Sequence, residues 1–112
     1  MCSQEELQQI TRLVTESYQH VFGSEIVDIY LYGSYARGDE QADSDIDMVA
    51  IVNGSRKELQ EKIKQVWDDS ADIGLKYDVV ISPVVVPYLE YQQYKEKLPY
   101  YRNIDREGVK AK

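Results

Sequence analysis

The 112-residue sequence predicts an α/β domain, in α+β form, with a small mixed β-sheet flanked by helices. Three observations carry this. Helical periodicity and short β-branched runs succeed one another along the chain. Hydrophobic residues at 43% and charged residues at 29% match a folded globular chain. The length suits one domain over residues 1–112, and there is no repeat, low-complexity stretch or linker to divide it.

Ser3-Gln4-Glu5-Glu6 forms a capping box, in which the serine oxygen takes an orphan N–H and Glu6 reaches back. Leu7, Ile10, Leu13, Val14, Tyr18 and Val21 follow at helical spacing, and Gly23 is a fitting stop. The first helix is therefore expected over residues 4–22. Ile26 to Tyr32 and Ile46 to Val52 are short, apolar and β-branched, and each ends at a turn residue, so both read as strands. Ser55 with Glu58 repeats the capping pattern, and Leu59, Ile63, Val66 and Trp67 line one face of a helix expected to end near Ala71, with Trp67 filling its seam. Tyr77 to Ser82 reads as a third strand closed by Pro83. Val84-Val85-Val86 reads as a strand extension or a buried connector. Pro87 and Pro99 each suit the first position of a helix, and Gly108 suits a cap, which gives a C-terminal helical segment over 87–108. The helices are expected on one face of the sheet.

Charge narrows the function. The net charge is −7, but residues 95–112 carry +3, so residues 1–94 carry −10. An acidic body argues against stable nucleic-acid binding, which needs a basic face, and suits a divalent cation. The single cysteine, Cys2, excludes an intrachain disulfide and points to the reducing cytoplasm. No run approaches the ~18 apolar residues of a membrane span, and the acidic N-terminus has no signal-peptide pattern.

The chemistry concentrates in Gly33-Ser34-Tyr35-Ala36-Arg37-Gly38 and Ser44-Asp45-Ile46-Asp47. Asp45 and Asp47, two apart on a strand, leave the same face and repel each other, a conflict that a hard cation such as Mg²⁺ resolves. Asp78 lies in an otherwise apolar run, where a charge is costly unless paired or metal-bound. If the second and third strands are neighbours, it joins Asp45 and Asp47, and three carboxylates can hold two ions. Gly33 permits close backbone approach to a ligand, Ser34 offers a hydroxyl to a phosphate oxygen, and the following residues suit a short helix. Arg37 reaches the same anion or braces the acidic loop. Asp39, Glu40 and Asp43 read as a solvated loop, and His20 as a favourable charge near a helix end. Tyr88, Tyr91, Tyr94, Tyr100 and Tyr101, interleaved with basic residues, read as part core and part partner surface.

Gly33-Ser34, ten residues, then Asp45-Ile46-Asp47 resembles the signature of the polymerase-β-like nucleotidyltransferase superfamily. The full stretches resemble its minimal nucleotidyltransferase branch, with residues 26–82 carrying the likeness. That resemblance implies the superfamily's fold and transfer of a nucleoside monophosphate, with ATP the expected substrate, to an acceptor hydroxyl using two Mg²⁺ (or Mn²⁺) ions. Asp45 and Asp47 would bind both ions, and Asp78 would bind the ion that activates the acceptor and take its proton. Gly33, Ser34, Arg37 and Ser44 would hold the nucleotide. The resemblance further implies an antitoxin that adenylylates a HEPN-type toxin and assembles with it. Silencing of the toxin by binding alone, or transfer to a small molecule such as an antibiotic, are the competing expectations.

Overall fold

The computed structural model describes residues 2–41 and 44–111, so Asp43 of the expected solvated loop lies outside them. Helix α1 (Gln4–Phe22) begins at the expected capping box: Ser3 Oγ accepts from Glu6 N at 3.1 Å and Glu6 Oε1 from Ser3 N at 3.1 Å. A 3₁₀ turn (Gly23–Glu25) leads into β1 (Ile26–Tyr32), the four-residue helix α2 (Ser34–Arg37) and β2 (Ile46–Val52). Then come α3 (Arg56–Tyr77), β3 (Ile81–Pro87), α4 (Tyr88–Tyr94), α5 (Pro99–Glu107) and β4 (Val109–Lys110).

The sheet order is β3-β2-β1-β4. β1 runs antiparallel to β2 and to β4, while β2 and β3 run parallel through the α3 crossover. The sheet is therefore mixed, as expected: the connection through α2 turns the chain back along β1, while the longer α3 crossover returns β3 in the direction of β2.

The α3/β3 boundary corrects the sequence reading twice. The helix continues past Ala71 to Tyr77, since Ser70 and Gly74 prolong the buried stripe begun by Leu59, Ile63 and Val66. It ends where Asp78 turns left-handed at φ 56°, ψ 50° and its N–H bonds Gly74 O. Val79 N also bonds Gly74 O, at 3.0 Å. That reversal needs a glycine: a Cβ on Gly74 would stand 2.6 Å from Val79 O. The third strand consequently starts at Ile81, absorbs Val84, Val85 and Val86, and leaves Asp78 outside the sheet. Trp67 is also not core. It is 44% exposed, and its indole N–H donates to Pro83 O at 2.9 Å across the sheet edge.

The two faces of the sheet carry separate cores, so helices cover both rather than one. Ile29, Leu31, Ile46, Met48, Ala50, Val52 and Val85 pack against α1 and α3. Tyr30, Val49, Ile51 and Val86 pack against Tyr91, Tyr101 and Ile104 of α4 and α5. Strand alternation sorts β2 between them and leaves Asp47 on the face of Val49 and Ile51. The short strand β4, unforeseen in the sequence, returns along β1 beyond the Gly108 cap.

Candidate active site

The site lies where β1 ends and β2 begins. Tyr32 pairs with Asp47 in the antiparallel register, so the turn after Tyr32 sits over the start of β2. Gly33 makes that turn at φ 81°, and its carbonyl accepts from Ala36 N and Arg37 N, both at 3.1 Å, opening α2. Gly38, left-handed at φ 79°, closes it. The glycine is required by contact as well as by dihedral: a Cβ at position 33 would stand 2.5 Å from Asp47 Oδ2. The backbone of the Gly-Ser turn therefore lies directly against the Asp47 carboxylate.

Asp45 is exposed and Asp47 half-buried. Burial, and then the neighbouring Asp45 charge, push the Asp47 carboxyl above its ordinary range, while Arg37 draws it back. Two carboxylates whose charges oppose each other beside a backbone turn are a donor set suited to a hard divalent cation. The chain's own residues thus fit one such ion at Asp45 and Asp47.

Other expected members are placed differently. Arg37 is exposed, with Nε 3.3 Å from Asp39 and Nη1 3.6 Å from Glu107, so it braces the loop and ties α2 to α5. The Ser44 hydroxyl accepts from Gln41 N at 2.8 Å, which closes the loop before Asp45. Asp78 does not join the carboxylate pair. It terminates α3, and among the described residues no three His, Cys, Asp or Glu side chains form a group able to hold a metal. The expected three-acid cluster is absent because the residue paired with Asp47 across β3 is Ser82. Asp78 instead lines a groove of about 870 Å³ between α3 and the β3 edge, with Ser44, Trp67, Gly74, Leu75 and Ser82. Asp45 and Asp47 are not among the groove's lining residues.

Three neighbours of the site escaped the sequence reading. Ser82 Oγ lies 3.5 Å from Asp45 Oδ2, a long contact. Tyr32 sits opposite Asp47, and the Tyr100 ring meets it edge-on at 5.7 Å between centroids. Burial, then Tyr32 and Asp47, push the Tyr100 hydroxyl up to about 12. Strand alternation from Tyr30 is the signal that puts Tyr32 on this face. Nothing local in the sequence brings Tyr100 there.

Residues 10–109 match the family profile described as a nucleotidyltransferase domain. A Methanocaldococcus jannaschii protein provisionally named a protein adenylyltransferase is 41% identical over 59 residues, covering 51% of this chain and 56% of that protein. The chain spans about half the length of the two Methanocaldococcus jannaschii proteins so named that it matches. A solved structure provisionally described as a minimal nucleotidyltransferase superposes with TM-score 0.61 at 18% identity, over 94% of this chain and 92% of that one. A toxin–antitoxin crystal structure with AMP-PNP superposes with TM-score 0.56 at 15% identity, over 91% of this chain and 72% of that one. At these identities the solved structures share the fold.

Proposed function

Because this chain belongs to the nucleotidyltransferase domain family, we propose that it transfers a nucleoside monophosphate, AMP from ATP, to a hydroxyl on a partner protein. The observation that carries the reading is the contact of Gly33 with Asp47, which sets a close-approach backbone turn against a carboxylate pair. The likeness to a relative named for protein adenylylation, and to a toxin–antitoxin component crystallised with an ATP analogue, supports ATP and a toxin partner, of HEPN type by the motif resemblance.

Asp45 and Asp47 would hold a divalent ion, Mg²⁺ or Mn²⁺. Such an ion would supply neutralisation of phosphate charge there. The chain's residues do the positioning. The Gly33-Ser34 turn lets the triphosphate approach the backbone closely, and Ser34 offers it a hydroxyl donor. Arg37, held by Asp39 and Glu107, keeps its positive charge on that side of the site. The acceptor oxygen bonds to the α-phosphorus, the bond to the bridging oxygen breaks, pyrophosphate leaves, and the hydroxyl proton passes to water.

The test is intact-mass measurement of the co-purified partner after incubation with ATP and Mg²⁺. One added AMP is expected on the partner with the native chain and none with Asp45→Asn or Asp47→Asn. A partner modified equally by the native chain and both variants would refute the roles of these residues. The position of Asp78 outside the cluster favours a second reading, in which the chain silences its partner by binding alone. Under it, a variant lacking both Asp45 and Asp47 still neutralises.

A further inference from the structure

We propose that Ser82 occupies the point from which a third carboxylate would enter this centre, so that the nucleotide-loaded chain holds one divalent ion firmly rather than two. The inference rests on the nucleotidyl-transfer reading and describes how this chain's own residues would serve it.

The register carries the argument. Ser82 is the parallel-strand partner of Asp47, with Ile46 opposite Ile81 and Met48 opposite Pro83. Side chains at paired positions of adjacent strands leave the same face, so residue 82 projects beside Asp47. Its hydroxyl, 3.5 Å from Asp45 Oδ2, shows that a side chain at this position reaches the pair. Position 82 is therefore the one on β3 from which a short acidic side chain would complete the cluster. It carries a neutral hydroxyl.

Asp78 does not substitute. It stands three residues before β3 begins, in a left-handed conformation fixed by bonds of the helix end to Gly74 O. Bringing it to Asp45 would require unwinding the end of α3. Among the described residues no other His, Cys, Asp or Glu completes a group of three.

Ligands then decide the number of ions. Asp45, Asp47 and the nucleotide phosphates offer anionic oxygens to a first ion. A second, at the spacing of a two-metal centre, about 3.5–4 Å, would meet nucleotide phosphates but, on the β3 side, a neutral hydroxyl. Hard cations favour anionic oxygen ligands, so the second position has no strong protein ligand. A carboxylate at residue 82 would supply both a ligand for that ion and a base near the acceptor.

The protein is loaded with AMP-PNP and titrated with Mn²⁺, with free ion read by electron paramagnetic resonance and binding heat by calorimetry. One tight ion per bound nucleotide is expected in the native chain. Asp78→Asn should leave that count and affinity unchanged. Ser82→Asp should add a second ion, bound about tenfold or more tighter than any second event in the native protein. Two ions of similar affinity in the native chain, or loss of one in Asp78→Asn, would overturn the inference while leaving nucleotidyl transfer standing. No ion bound with the nucleotide would sink both. If Ser82→Asp does not fold, the native count and Asp78→Asn still decide the matter.

Discussion

Gly33 and Asp47 show how much of the site depends on single atoms. Gly33→Ala places a methyl group 2.5 Å from Asp47 Oδ2 and forces a side chain into a left-handed dihedral. We expect a loss of about 1–3 kcal/mol in urea unfolding, from strain of the kind seen at such positions. AMP-PNP binding, followed by calorimetry, should weaken with it. Asp47→Asn tests the opposite sign. The folded state raises the Asp47 carboxyl, so the native protein favours its neutral form and loses stability as pH rises through that raised value. Metal-free Asp47→Asn should therefore melt above the native protein at neutral pH. The gap should narrow as acid protonates the native carboxyl. A variant that melts lower at neutral pH would show that this carboxylate is structurally satisfied. Both residues were legible as letters in the sequence, because a glycine after a strand and two acids two apart are local patterns. Their mutual contact was not, since it depends on the β1/β2 register.

At the level of elements, α3 and its surroundings were the hardest to read. Lys76 to Ile81 alternates like a strand, yet Ser70, Gly74 and Tyr77 continue a helical stripe. Short runs of this kind satisfy both periods, and packing decides between them. Here α1 decides: Tyr77 donates its hydroxyl to Gln9 at 2.8 Å, and Ser17 donates to Asp69 at 2.7 Å. The other end of α3 is tied to the second face. Arg56 donates to both Glu90 oxygens, at 3.3 and 2.7 Å, and the Tyr101 hydroxyl donates to Glu90 at 2.8 Å. The Arg56 and Tyr101 hydrogen bonds hold the Glu90 carboxyl below its usual range. A depressed carboxyl stabilises the fold above its unfolded pKa, and that contribution is lost as pH falls through the folded value. Glu90→Gln should cost about 0.5–1 kcal/mol at neutral pH, the scale of a partly exposed pair. Unfolding curves of the two proteins should converge below the carboxylate range.

Over the whole molecule, the two faces of the sheet have different work. The α1/α3 face holds the larger core, sealed by Tyr18, whose buried hydroxyl donates to Val84 O at 2.8 Å. The α4/α5 face is a smaller core that ends at the acidic pair, with Tyr100 leaning on Tyr32 beside Asp47. Ile104, fully buried there, anchors α5. Ile104→Ala should cost about 2–4 kcal/mol by cavity formation. Because α5 also carries Glu107 to Arg37, the same substitution should reduce nucleotide affinity, although residue 104 is no part of the site. Unchanged AMP-PNP affinity in a folded Ile104→Ala protein would separate the second core from the site.

The sequence alone determined the order of the main helices and strands from α1 to α5, the Ser3 capping box, the Ser55 side of the α3 cap, the first two strands and the identity of the Gly-Ser turn and the Asp45/Asp47 pair. Each of these is written in residues within a few positions of one another. Only the tertiary structure decided what stands third beside that pair. The answer depends on the register of two parallel strands separated by a 22-residue helix. Such a register is fixed by the packing of α3 on α1 and by the chain reversal at Gly74. It put Ser82 where the spacing of acids along the chain had suggested Asp78.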